Sequence, residues 1–133
     1  MSKRGWHSGD CHLHYARSIE AANQRLLLWT QAEDLRMGNI LQMGDARLTY
    51  FEQYAFGKRG RFLHERGALV PGQEDPRTGV LGHTISLNLE APIRDAGRYY
   101  LYNPIFDEAH RQGGLAGYAH VTNDNFLVHR REI

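Results

Sequence analysis

Between residues 9 and 43 the sequence changes its hydrophobic period twice, and that succession admits few folds. Gly9-Asp10-Cys11-His12-Leu13-His14 reads as a strand, with alternate side chains on one face. From Ser18 to about Arg36 the residues Ala22, Leu26, Leu28, Trp29, Ala32 and Leu35 form a broad apolar stripe at helical spacing, so this helix packs one face on a sheet. Ser18 is its expected N-cap, Glu20 lies favourably in the first turn, and Gly38 is the expected stop. Asn39 to Met43 is then a short, mostly apolar run. Strand, helix and strand in that order predict a βαβ unit and a parallel sheet.

The later elements follow the same logic. Ala68-Leu69-Val70 is a short strand ending at Pro71-Gly72, and residues 83–89 alternate polar and apolar. That alternation predicts a strand with Ile85, Leu87 and Leu89 toward the core and the polar face wet, His83 sharing the apolar face. Asn103-Pro104 starts a short helix that Gly113 ends, with Ile105, Phe106 and Ala109 facing the sheet and His110 on the surface. Leu115 to Val121 is the next strand. Residues 47–66 give a weaker signal: Tyr50, Phe51, Tyr54, Phe56 and Phe62 cover the mouth of a barrel or an interface, residues 57–60 form a solvated turn, and His64 is exposed. The tail, 122–131, carries turn residues and a brief apolar run whose role is unreadable.

Asp10, His12 and His14 project from one strand face, with alternate residues about 6–7 Å apart, close enough for two imidazoles to converge on one ion. Glu74, His83 and His120 each lie beside glycine or at the edge of an apolar run, where strand ends fall. Asp45, just past the second strand, is a further metal or base candidate, and equally a turn aspartate after Gly44. Cys11, between Asp10 and His12, turns away from that face and reads as a small core residue.

Several of these residues recur in a known order. Gly5-Trp6-x-x-Gly9-Asp10-x-His12-x-His14, Ala32-Glu33-Asp34-Leu35, Gly72-Gln73-Glu74, Leu81-Gly82-His83 and Gly113-Gly114-Leu115-Ala116-Gly117-Tyr118-Ala119-His120 resemble the carbaryl-hydrolase-like (CehA/McbA) branch of the polymerase and histidinol phosphatase (PHP) superfamily, over roughly residues 5 to 120. The resemblance implies a distorted β/α barrel with metal ions at the strand C-terminal ends, and hydrolysis of phosphate or carboxylic esters. It makes His12 and His14 the first motif, Glu74 a bridging carboxylate and His120 a later ligand, and on it His83 counts as a site residue too. The chain departs from the family in two places. Asp45 is followed by Ala46 where the second motif carries histidine, and the final Asp and His motif has no counterpart before Ile133.

Length bears on this expectation, because a complete (β/α)8 barrel takes about 250 residues and this chain has 133, 41% of them hydrophobic. A single domain over 1–133 is expected, an α/β half barrel of PHP type with short strands and two main helices, whose open edges predict homo-oligomers. A net charge of +1 gives no field for nucleic acid or anionic membrane. Fourteen arginines suit an anionic substrate or surface ion pairs. One cysteine allows no intrachain disulfide, and neither a signal peptide nor a long apolar run is present, so a cytoplasmic protein is expected. The functional expectation is a hydrolase of small-molecule esters or phosphoesters using zinc, manganese or iron. In it Asp10 orients a histidine or binds metal, with Glu74 and Asp45 the other carboxylates at the reacting centre. The rival expectations are a degenerate metal-binding module acting through self-association, and a structural module needing no metal.

Overall fold

The computed structural model describes residues 4–120. In chain order the elements are β1 (Gly9–Leu13), α1 (Ala22–Ala32), β2 (Met37–Gly44), β3 (Thr49–Tyr50), α2 (Gly57–Gly60), β4 (Phe62–His64), β5 (Gly67–Glu74), β6 (Arg77–Thr78), β7 (Gly82–Leu87), a 3-10 turn over Ala96–Arg98, α3 (Asn103–Arg111) and β8 (Leu115–Ala119). All eight strands belong to one sheet, curled into a half barrel. β1, β2 and β5 run parallel, with β2 and β5 in unbroken register from Met37↔Ala68 to Met43↔Glu74. β7 runs antiparallel to β5 and β8 antiparallel to β7, from His83↔Ala119 to Leu87↔Leu115. One rim of the sheet therefore carries the C-terminal ends of β1, β2, β5 and β8 together with the start of β7. The β1–α1–β2 unit is the one expected.

Helices cover the outer face. Leu26 of α1 closes over Ile40 and Leu69, joined by Leu13, Tyr15 and Phe62, while Ile105 and Ala109 of α3 close over Leu89 and Ile93. α1 is shorter than its stripe suggested. Ser18 is exposed, the N-cap is Ala21 with no side-chain bond, and the helix stops at Ala32 as Asp34 turns left-handed at φ 56°. The residues beyond are drawn into the sheet instead, since the amides of Arg36 and Met37 both donate to the Ser8 carbonyl, and Gly38 lies within β2. The buried stripe is Ala22, Asn23, Leu26, Leu27 and Thr30, leaving Leu28 and Trp29 at least half exposed.

The alternation in β7 is also oriented differently from the expectation. Thr84 and Ser86 are fully buried and Ile85 and Leu87 only half-buried. Ser86 pairs across to Ala116, which packs against the Leu89–Ile105–Ala109 cluster, and Thr84 pairs with Tyr118, whose ring meets Phe106 of α3 at 5.5 Å. The polar face thus lies under α3, with Thr84 Oγ1 donating to the Pro76 carbonyl at 3.2 Å. The apolar face looks into the concave side, which a half barrel leaves without the opposing strands that would fill it.

Three smaller corrections have local causes. Cys11 is exposed, because it lies on an edge strand and α1 does not reach it. Residues 57–60 form a helical turn with Gly57 and Gly60 buried, tied down by Arg17 donating to the Gly60 carbonyl at 2.8 Å; a Cβ on Gly60 would clash with the Ala55 carbonyl oxygen. His64 is half-buried, its Nδ1 accepting from the Arg66 amide. α3 starts and ends as expected to within one residue, with Ile105 and Ala109 buried and His110 exposed. The tail at 122–131 lies outside the described residues.

Candidate metal centre

The rim of the sheet gathers the site. Glu74 is the last residue of β5, only 2% exposed, and its carboxylate lies among four imidazoles and a guanidinium. Its Oε2 is 3.2 Å from His12 Nε2, 2.7 Å from His14 Nε2 and 3.5 Å from Arg77 Nε. Its Oε1 is 2.6 Å from His83 Nδ1 and 3.5 Å from His120 Nε2. Each carboxylate oxygen therefore faces its own pair of histidines. Bare Gly72, two residues upstream, allows the approach: a Cβ there would meet the Ser86 carbonyl oxygen at 2.6 Å and Leu41 Cδ2 at 2.8 Å.

Each ligand is delivered by an element whose formation is legible locally. β1 carries His12, and His14 follows its last residue, Leu13, the two Nε2 atoms lying 3.2 Å apart. His83 is the second residue of β7, and His120 follows the end of β8 in a left-handed conformation at φ 57° that turns the chain back. The ring centres of His120 lie 5.0 Å from His12 and 5.4 Å from His83. His14 is oriented from both sides: its Nδ1 lies 3.1 Å from the Leu41 carbonyl and Phe51 stacks on its ring at 5.5 Å. Of the aromatics of that segment only Phe51 is seen to stack on a site histidine; Phe56 and Phe62 pack on the two hydrophobic clusters and Tyr54 lies against Arg17.

Protonation follows from these contacts. A carbonyl accepts only, so His14 Nδ1 carries a proton and directs Nε2 at Glu74. Two lone pairs at 2.7 Å would repel, so either His14 is an imidazolium or a cation lies between them. The bond to Glu74 raises the His14 pKa accordingly, burial opposing it. Burial alone would push the Glu74 carboxyl up, but the His14, Arg77, His12 and His83 partners outweigh it and hold the group ionised far below the usual carboxylate range. At His83 burial prevails over Glu74 and lowers the pKa, favouring the neutral ring.

The donor set fits a divalent ion. One ligand atom each from His12, Glu74 and His120 lies within 4.8 Å of the others, and these residues could hold a metal. Ligands at about 2.0–2.1 Å from a tetrahedral ion stand about 3.3 Å apart, close to the 3.2 Å separating His12 Nε2 from both Glu74 Oε2 and His14 Nε2. Mixed nitrogen and oxygen donors suit zinc, manganese or iron.

The other candidates take different places. Asp10 caps its own strand, Oδ1 accepting from the His12 amide at 2.8 Å. Asp45 is engaged in the turn after β2: Oδ1 accepts from the Arg47 and Leu48 amides and Oδ2 from the Tyr50 hydroxyl. Sequence reasoning passed over Arg77, whose signal was its place three residues after Glu74, and Asp75, which is buried and accepts from Arg94 and from the Tyr99 hydroxyl.

Tyr50 first, then the two amides, lower the Asp45 pKa to about 2. Its contribution to folding is therefore complete above about pH 4 and fades as pH falls toward 2. Carboxyl NMR titration is expected to give a midpoint near 2 that rises in Tyr50→Phe. An unmoved midpoint would mean the hydroxyl does not hold the carboxylate.

Fold and site together define a mixed α/β chain whose sheet rim holds a histidine and glutamate cluster able to bind a metal ion. Comparison with protein-family models, with curated proteins and with solved structures finds no match. No helix among the described residues is long and apolar enough to cross a membrane.

Proposed function

We propose that the chain is a metal-dependent hydrolase of phosphate or carboxylic esters, built on the first half of a distorted β/α barrel of the PHP type. The observation that carries this reading is the convergence of His12, His14, His83 and His120 on the two oxygens of Glu74 at the rim where β/α proteins place their chemistry. Bound zinc, manganese or iron would supply an activated water at neutral pH and polarise the scissile ester or phosphoryl oxygen. His12 and His14 hold one side of the site, His83 and His120 the other, and Glu74 bridges them. Arg77 offsets the charge of Glu74, and Phe51 shields His14 from bulk water.

A second reading is a degenerate relative that binds metal without turnover and works through self-association, a second copy covering the open edge of β1. What favours it is the turn after β2, where Ala46 brings no ligand and Asp45 is spent on Tyr50 and two amides.

Metal content of untagged protein by plasma mass spectrometry separates these readings from a metal-free one. Wild type is expected to carry roughly one equivalent or more and His12→Ala/His14→Ala to carry almost none. Hydrolysis of p-nitrophenyl phosphate or p-nitrophenyl acetate, lost in the same variant, supports the enzyme. Full occupancy without turnover of any ester supports the degenerate module. Protein that stays empty after adding zinc or manganese overturns both.

A further inference from the structure

A cavity of about 350 Å³ opens beside the metal centre, lined by Asp45, Arg47, Arg77, Thr78, Val80 and Tyr99 among others. Arg77 belongs to both places: it lines this cavity and reaches to 3.5 Å from Glu74 Oε2. The hydrogen bonding of the wall is one-sided. Its acceptors are satisfied internally. Asp45 takes two amides and a hydroxyl, the Thr78 hydroxyl meets Tyr102 and the Leu81 amide, and the Tyr99 hydroxyl donates to Asp75 while accepting from the Arg77 amide.

The donors are not. Among the described residues neither the Arg47 nor the Arg77 side chain makes a hydrogen bond; Arg47 is exposed, and Arg77 Nε is buried with Glu74 Oε2, at 3.5 Å, as an ion-pair partner outside bonding geometry. A buried donor left so calls for a missing acceptor. The backbone of Arg77 is fixed by pairing with His83 across β6 and β7 and by its amide donating to the Tyr99 hydroxyl at 2.9 Å, and its side chain lies between cavity and centre.

We propose that this cavity is the subsite for an oxyanion group of the substrate, a phosphate or a carboxylate, gripped by Arg77 and Arg47 beside the group to be hydrolysed. Val80 and the ring of Tyr99 supply an apolar wall for the carbon skeleton that carries the anion. What the subsite serves rests on the hydrolase reading above, but anion binding itself needs no metal.

The test is amide NMR titration of the full chain, stripped of metal by chelator, with inorganic phosphate and separately with benzoate. Saturable shifts are expected at Arg47, Val80 and Tyr99 with at least one of them. Phosphate alone identifies a phosphorylated substrate and benzoate alone a carboxylate. Arg47→Gln, on an exposed turn away from the histidines, is expected to weaken binding about tenfold, as is Arg77→Gln. His12→Ala/His14→Ala is expected to bind as wild type. Binding that survives in that variant while the protein proves metal-free would sink the hydrolase and keep the subsite. No saturable shift with either anion, or unchanged affinity in a folded Arg47→Gln protein, overturns the subsite whatever the centre does.

Discussion

Glu74→Gln is expected to empty the metal centre while leaving the chain folded. The carboxylate is the one group that meets both histidine pairs, and an amide of the same shape offers one oxygen and one NH2, so at least one pair loses its acceptor. Loss of a mere outer partner of a metal ligand typically costs 10–100-fold in affinity, so losing the shared ligand itself is expected to cost more than about 100-fold. Without metal the substitution also strands Arg77 and His14 beside a neutral group, removing the charge-assisted His14 hydrogen bond and the Arg77 ion pair and destabilising the protein by about 2 kcal/mol. The readouts are metal content and the thermal midpoint with and without added zinc. Zinc should raise the midpoint of wild type and not of the variant. A variant that retained its metal would place the ion away from Glu74.

The second large effect lies outside the centre. Arg17 is fully buried, yet its recorded partners are all neutral: Gln53 Oε1 at 3.0 Å, Asn23 Oδ1 at 3.1 Å, the Gly60 carbonyl at 2.8 Å and the face of Tyr54 at 4.9 Å. Burial lowers its pKa, but arginine keeps its proton, so the charge stays and those acceptors spread it. Through them one side chain joins the end of β1 to α1 and α2. Arg17→Ala leaves two buried acceptors and a part-buried one without their donor and a void where the guanidinium was, and is expected to cost about 3 kcal/mol, roughly 10 °C in Tm. Arg25→Ala, an exposed arginine over Tyr15 and Trp29, is expected to cost under about 1 kcal/mol. Thermal unfolding followed by circular dichroism checks both, and a shift within about 2 °C for Arg17→Ala would mean that the network around it contributes little.

Where the sequence spoke in periods, it could be read. The change from strand to helix to strand gave β1, α1 and β2, and glycine placement pointed to the ends at which Glu74, His83 and His120 sit. Partner choice was not legible in that way. Asp45 looked like a site carboxylate because it follows a strand, but a turn aspartate satisfied by two amides and a tyrosine has the same local sequence. Arg77 and Arg17 differ from the chain's many exposed arginines only in what folds over them. β7 shows the limit most clearly: strict alternation names two faces, and only the placement of α3 decides that Thr84 and Ser86 take the covered one.

The seven-residue register between β2 and β5 has a consequence for assembly of the chain. Glu74 lies on the concave side and Gln73 on the other, where it holds the Ile93 backbone at both ends of its amide. Sliding one strand by a single residue would exchange every side chain between faces. A slipped β5 would turn Leu69 away from Ile40 and Leu26, present an amide to the four imidazoles and bury a carboxylate against the Ile93 loop. The centre is therefore a gauge of register: an ion bound there would report that β5 has paired as it does with β2.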